Sequence, residues 1–147
     1  MFKVQKKIIY AIEAVVDIAL HSGPGPVQNE SIANRQGIPK RYLEQTLQIL
    51  VKNKILVGSR GPKGGYSLAK ERRKISISDI IKSVSQDDKI DSSFNSNLSQ
   101  KIIIPIINNI TKKYLENLDA ISIEEICRIA KQKNLQKSIS KKVDFVI

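Results

Sequence analysis

The chain has 147 residues, enough for one ordinary domain with an appendage and too few for two large enzyme domains. Hydrophobic residues make up 41% of it, sufficient for a core, while 25 Lys and Arg against 14 Asp and Glu leave a formal charge of +11 that suits a phosphate-rich partner or an anionic surface. The one cysteine, Cys127, excludes an intrachain disulfide and a thiolate cluster built from one chain.

Residues 1–75 hold fourteen basic and five acidic side chains, a net of +9, whereas residues 76–147 hold eleven and nine, a net of +2. The front half is therefore the expected anion-binding half, and the back half is left for pairing or sensing. The stretch 1–7 lacks a small-residue cleavage site after its apolar run, so it does not read as a secretory signal. The apolar stretches 8–20 and 102–110 are too short, or carry charge at Glu13 and Asp17, to span a membrane. A cytoplasmic protein without membrane contact is the expectation.

In chain order, Ile8, Ile12, Val15, Val16 and Ala19 recur at three- and four-residue steps and predict a first helix ending near His21, stopped by Gly23-Pro24-Gly25-Pro26. A second, short helix is predicted from about Gln28 to Gln36, with Ile32 and Ala33 inward and Gly37 at the left-handed position beyond its end. A third opens at once with Pro39 in its first turn, buries Leu43, Leu47, Leu50 and Val51, and shows Lys40, Arg41, Glu44, Gln45 and Gln48 on its other face. Two short strand-like runs, 55–60 and 66–69, flank Gly61-Pro62-Lys63-Gly64-Gly65 and read as a β-hairpin wing. The charged run 70–74 reads as a solvated connector. It leads to a short helix through Ile77, Ile80, Ile81 and Val84, capped by Ser76 or Ser78.

Residues 85–100, rich in Ser, Asp and Asn, read as a mobile loop. Ile103, Ile106, Ile107, Ile110, Tyr114 and Leu118 then share one face of a long helix, where Pro105 is tolerable only if that helix begins close to Lys101. A last short helix, 123–132, follows the cap-like Ser122-Ile123-Glu124-Glu125, and a basic tail ends the chain. There is no internal repeat.

Three helices and a hairpin in this order, with a tight turn between the second and third helices, predict a mainly α winged helix-turn-helix. In that arrangement the third helix enters the major groove. Lys40, Arg41, Glu44 and Gln45 become candidate base readers: Lys or Arg for guanine, Gln for adenine, Glu for the cytosine amino group, with Gln48 one turn deeper. Amides around Gln28, Asn29 and Glu30 at the start of the second helix could cap a phosphate, which the Glu30 charge would oppose. In the wing, Gly61, Gly64 and Gly65 with Pro62 would let the backbone approach a sugar-phosphate wall, and Arg60 and Lys63 would supply charge suited to a narrow minor groove. The same glycines could equally serve turn geometry alone. A phosphate-binding Walker loop is excluded, because these glycines join strands rather than run into a helix.

Tyr42-Leu43-Glu44-Gln45 followed by the run from Val57 to Ala69, Val-Gly-Ser-Arg-Gly-Pro-Lys-Gly-Gly-Tyr-Ser-Leu-Ala, resembles the signature of the Rrf2 family, the IscR and CymR type of bacterial winged-helix regulators. Tyr10-Ala11-Ile12, Ile32-Ala33, Gln36-Gly37-Ile38 and the stretch 77–84 match it as well, so the resemblance covers residues 1–85 closely and the rest in outline. It implies a homodimer held by the long C-terminal helix, with Ile103 to Leu118 as its seam. It also implies a pseudo-palindromic double-stranded operator, and repression or sometimes activation of transcription. Tyr42 falls within the DNA-contacting motif. Where the family often has a hydroxyl before the first tyrosine, this chain has Val4, Gln5 and Lys7, and Lys6 with Lys7 would replace a phosphate contact by charge. Many members carry an iron-sulfur cluster on three cysteines in the loop before the dimer helix; residues 85–100 contain no Cys or His here, so the cluster-free, CymR-like branch is implied and no cofactor is expected.

The expected division is 1–84 as the DNA-binding domain, 85–100 as a flexible loop where an effector or partner protein could act, and 101–147 as dimerisation helix and tail. Cys127 reads as a small buried hydrophobe and His21 as a part-exposed residue at a helix end. Asp87, Asp88 and Asp91 lack the glycine and terminal glutamate of a calcium loop. No nucleophile-base pair or metal constellation supports an enzyme. The competing class is a winged-helix interaction module with nonspecific RNA or ribosome contact, which steep salt dependence without sequence preference would identify.

Overall fold

Apolar side chains at three- and four-residue spacing turn one face of α1 (Lys6–His21) toward the centre of the molecule, where Ala11, Ala14, Val15 and Ile18 are fully buried. Around it stand α2 (Asn29–Gln36), α3 (Lys40–Lys52), the hairpin β1 (Leu56–Ser59) and β2 (Gly65–Leu68), α4 (Ile77–Val84), α5 (Ile104–Asp119) and α6 (Ile123–Gln132). The structure is a computed structural model that describes residues 4–85 and 94–135. It is a mainly helical winged helix-turn-helix, as the order of elements predicts.

Burial of Leu43, Leu47 and Leu50 beneath α3 and of Ile32 beneath α2 holds the two helices against α1. Each such side chain contributes roughly 1.5–3 kcal/mol. Between α2 and α3, Gly37 adopts φ 66°, which lets the Ile38 amide reach back to the Ala33 carbonyl at 3.2 Å. Pro39 does not sit inside the first turn of α3 but just before it, with ψ 125°, and the helix starts at Lys40.

The end of α3 closes in the same manner without a glycine. Lys54 takes φ 61°, and Ile55 and Lys54 donate to the carbonyls of Leu50 and Val51, each at 3.0 Å. A lysine there carries the steric strain of a left-handed L-residue.

A carboxylate sits inside this apolar frame. Asp17 is fully buried on α1, and its oxygens accept hydrogen bonds from Arg35 Nη2 at 2.7 Å, Arg35 Nε at 2.9 Å and the Gln36 side-chain amide at 2.7 Å. The last turn of α2 is thereby pinned to α1 by a bidentate ion pair. His21 lies on the same turn of α1, part-exposed as expected, with Nδ1 2.8 Å from the Asp17 carbonyl oxygen.

After the wing, the charged run 70–74 is more than a solvated connector. Residues Arg72–Lys74 form a short tight helical turn, and Arg72 Nε lies 2.6 Å from Glu124 Oε2 of α6. Ser76 rather than Ser78 caps α4: its hydroxyl accepts from the Asp79 amide, and Asp79 accepts from the Ser76 amide in return. Ser78 is fully buried instead.

Residues 86–93 of the expected loop, including Asp87, Asp88 and Asp91, lie outside the described residues. From Asn97 the backbone is helical, within the stretch expected to be loop, and passes through a wide turn at Ser99–Ile103 into α5. The wide turn follows from Pro105, which has no amide hydrogen and whose ring cannot tolerate the carbonyl four residues earlier in a regular helix.

The head does not close its core with residues 1–84 alone. Ile123 and Cys127 of α6 are buried in it, and residues 75–77 pair antiparallel with 121–123 through Ile77 N to Ile121 O at 3.0 Å and Ile123 N to Ile75 O at 2.8 Å. Ser122 caps α6 by accepting from the Glu125 amide, as the sequence suggests.

Asp17→Ala should leave Arg35 without its counter-charge and lower stability by about 3 kcal/mol in urea unfolding. Lys54→Gly should raise the unfolding midpoint, with a gain of about 0.5–1 kcal/mol, because glycine adopts φ 61° without strain.

Candidate nucleic-acid interface

The face formed by α3, the start of α2 and the wing gathers most of the candidate contact residues. On α3, Lys40, Arg41, Glu44, Gln45 and Gln48 are all exposed, because Leu43, Leu47 and Leu50 take the opposite side of a 3.6-residue period. Tyr42 stands beside them at 37% exposure, its ring edge-on to Tyr10 of α1 with centroids 5.4 Å apart. Lys6 is exposed in the first turn of α1.

An open groove of about 720 Å³ runs between α3 and the wing. Lys40, Gln48 and Val51 form one wall, Gly58 to Gly61 with Gly64 to Tyr66 the other, and Gln28 to Glu30 close one end. Arg60 projects from the wing at the rim, exposed. Pro62 and Lys63, also exposed, border a second cleft with His21 and Arg35.

The wing is not a free hairpin. Val27, in the connector between α1 and α2, exchanges both backbone hydrogen bonds with Tyr66, at 2.9 and 2.8 Å. The connector thus lies alongside β2 as a single paired residue beyond the regular pairs of β1 with β2. Gln28, expected near a phosphate, donates its side-chain amide to the Pro62 carbonyl at 3.3 Å and so ties the wing tip to the start of α2. Asn29 beside it lines the groove with a buried Oδ1 that has no hydrogen-bond partner among the described residues.

Two of the wing glycines have an internal reason to be glycine. A Cβ on Gly64 would stand 2.4 Å from the Ser59 carbonyl oxygen, and one on Gly65, at φ 153°, 2.5 Å from the Val27 carbonyl oxygen. Gly64 also donates to Gly61 at 2.9 Å, closing the tip turn with Pro62 at its second position. Gly61 is different: at φ 98° with open space beyond it, only its backbone conformation calls for glycine.

Elsewhere, Ile103, Ile106, Ile107, Ile110 and Tyr114 are exposed along the helical segment 103–114, and none of α5 is buried. Leu118 departs from that stripe and packs against the core of the head. Lys112 and Lys113 face solvent.

The residues present do not fit an iron-sulfur cluster. Such clusters are held predominantly by thiolates. The chain has one cysteine, 1% exposed inside α6, whose thiol burial pushes up while the neighbouring Arg72 guanidinium pulls partly the other way. Among the described residues no three His, Cys, Asp or Glu side chains gather as a metal site, and no helix is long and apolar enough to cross a membrane.

Sequence reasoning missed three participants: Asp17, Arg35 and Tyr66. An acid at a position that otherwise continues an apolar stripe was the available signal for Asp17. For Tyr66 there was none, since strand alternation does not reveal a pairing with a connector forty residues earlier.

A family model described as Rrf2, iron-dependent transcriptional regulator, matches residues 4–129. Over 83 residues the chain is 42% identical to the HTH-type transcriptional regulator IscR of Sodalis glossinidius (strain morsitans) and 43% identical to that of Serratia proteamaculans (strain 568). Each alignment takes in 56% of this chain and 49% of the relative, so the chain matches about half the length of these curated relatives. Among solved structures, T. potens IscR superposes with a TM-score of 0.72 at 35% identity, covering 90% of both chains. The global cysteine regulator CymR of B. subtilis superposes with a TM-score of 0.67 at 25% identity, covering 88% of this chain and 98% of that one.

Gly65→Ala should force β2 away from the Val27 carbonyl, seen as faster amide hydrogen exchange at Val27 and Tyr66. Gly61→Ala should leave those two amides protected and cost only about 1–2 kcal/mol of backbone strain.

Proposed function

Because the chain belongs to the Rrf2 family of transcriptional regulators, we propose that it is a homodimeric repressor that binds a pseudo-palindromic operator in double-stranded DNA and works without an iron-sulfur cluster. One observation carries this reading: Lys40 and Gln48 of α3 and Arg60 of the wing line the same open groove, and every candidate reader on α3 is exposed. The mechanism is binding alone, in keeping with relatives that are regulators and not enzymes.

In this reading α3 lies along the major groove. Its first turns reach base edges: Lys40 and Arg41 offer donors to guanine O6 and N7, Gln45 and Gln48 pair with adenine, and Glu44 accepts from the cytosine amino group. The wing carries Arg60 and Lys63 to the adjoining minor groove, where a narrow groove concentrates negative potential. Lys6, Tyr42 and the start of α2 face the sugar-phosphate track and set register rather than sequence. The net +9 of residues 1–75 supplies the salt-dependent share of affinity.

Dimerisation uses the stripe Ile103, Ile106, Ile107, Ile110 and Tyr114. This much apolar surface on one helical face is the mark of an uncovered contact surface, and a two-fold pairing covers it symmetrically. Two heads then meet half-sites about one helical turn, or a multiple of it, apart. The segment 85–100 is where an effector or partner protein acts. The absence of three cysteines before α5 supports the cluster-free state.

Selection of bound duplexes from a random pool tests the reading. The wild type should enrich a two-fold-related sequence, Glu44→Ala should change the preference at one base position per half-site, and Arg60→Ala should weaken binding broadly or at A/T-rich flanks. Lys63→Ala should lower the slope of log affinity against log salt by about one for each head that grips the duplex. Ile106→Glu should shift the full chain from dimer to monomer in sedimentation, and anaerobically purified protein should show no iron-sulfur absorbance. Enrichment of no sequence, with steep salt dependence retained, would establish a nonspecific nucleic-acid module instead.

A further inference from the structure

The second cleft, of about 620 Å³, adjoins the groove: Gln28 and Gly64 line both, and the hydrogen bond from Gln28 to the Pro62 carbonyl ties their shared border. Its polar groups come from three elements. His21 closes α1, Ser31 stands in the first turn of α2 and Arg35 in the last, and Lys63 belongs to the wing tip. No acidic residue lines it. The carboxylate of Asp17 is fully buried and already held by Arg35 Nε and Nη2, which leaves Nη1 of the guanidinium over. A cleft of donors and cations without an exposed acid suits an oxyanion.

His21 makes such a site sensitive to protons. Its Nδ1 lies 2.8 Å from the Asp17 carbonyl oxygen, and because a carbonyl only accepts, Nδ1 carries the hydrogen of the neutral ring. Nε2 then holds a bare lone pair. That nitrogen repels an oxyanion when the ring is neutral, whereas the protonated ring presents Nε2–H as a charged donor. The charged groups that share this corner with the imidazole are Asp17 on its own helix, with Oδ1 3.7 Å from Nδ1, Arg35 on α2 and Lys63 on the wing. The connector 22–27 contributes none. Asp17 favours the added proton, and an anion in the cleft offsets the repulsion from the two cations.

We propose that this cleft is a proton-linked phosphate site, in which an oxyanion binds together with a proton taken up from solvent at His21 Nε2. Its place beside the wing points to a backbone phosphate of the duplex as the source, and in that respect the proposal rests on the regulator reading and deepens it. A free phosphate has the same chemistry, so the experiment carries an arm for each.

His21 is the only histidine in the chain, so its imidazole signals stand alone in NMR spectra of the full protein. Titration from about pH 8 to about pH 5.5 spans the range in which imidazoles gain a proton. The enriched duplex should shift the His21 titration upward by about one pH unit and bring out an Nε2 proton protected from exchange. It should correspondingly bind roughly fivefold more tightly at about pH 6 than at about pH 8. His21→Asn keeps a side-chain donor for the Asp17 carbonyl and should lose that pH dependence. The second arm adds inorganic phosphate without DNA, against chloride at equal ionic strength. The same two spectral changes with phosphate but not with the duplex support the site and make a free anion its occupant.

No change in either arm overturns the proposal. So does an upward shift without a protected Nε2 proton, which the field of a polyanion alone would give, or a His21→Asn chain that keeps the full pH dependence. Those outcomes leave the regulator reading intact. A wild type that enriches no sequence overturns that reading and leaves the phosphate arm to decide the site.

Discussion

The buried pair between Asp17 and Arg35 is the contact from which the rest of the winged-helix head takes its orientation. A carboxylate with no exposed surface is tolerable only because the bidentate guanidinium and the Gln36 amide satisfy its oxygens. All of those donors come from the last turn of α2. That turn runs directly into Gly37 and then α3, so the angle between α2 and α3 is set by a polar contact on α1 and a left-handed glycine. An apolar contact of equal area would hold the helices together but would not specify their rotation so narrowly, since hydrophobic burial is non-directional.

A second set of directional contacts fixes the wing relative to that frame. Val27 and Tyr66 exchange two backbone hydrogen bonds, Gln28 reaches the Pro62 carbonyl, and Gly64 and Gly65 permit backbone approaches that any side chain would block. The wing is thus tied to the connector that leads into α2, while its first strand also packs against α3. The groove between α3 and the wing is open.

At the far side of the head, Ser76 does two jobs. Its hydroxyl accepts from the Asp79 amide to cap α4 and donates to Asp119 at the end of α5, at 3.0 Å. With the backbone pairing of 75–77 against 121–123 and the Arg72 to Glu124 ion pair, it joins the exposed α5 to the head through several directional bonds. The position of α5 is therefore coupled to the core that supports α3. Burial of Ile123 and Cys127 makes α6 part of that core, and it explains why a division of the chain near residue 84 is too simple.

Periodicity along the chain determined the element order, the hairpin, the inward faces of α1 and α3, the exposed polar face of α3 and the apolar stripe ahead of Leu118, because side-chain direction follows residue spacing once helix or strand is assigned. The uneven charge of the two halves was legible too. Local spacing carries no information about which distant segments meet. That Asp17 finds Arg35, that Val27 pairs with Tyr66, that Gln28 serves the wing tip, and that Leu118, Ile123 and Cys127 turn back into the head was decided only when the chain closed on itself. Each of those contacts depends on satisfying a buried polar group or filling a core position with residues far apart in sequence, and only the tertiary structure brings them together.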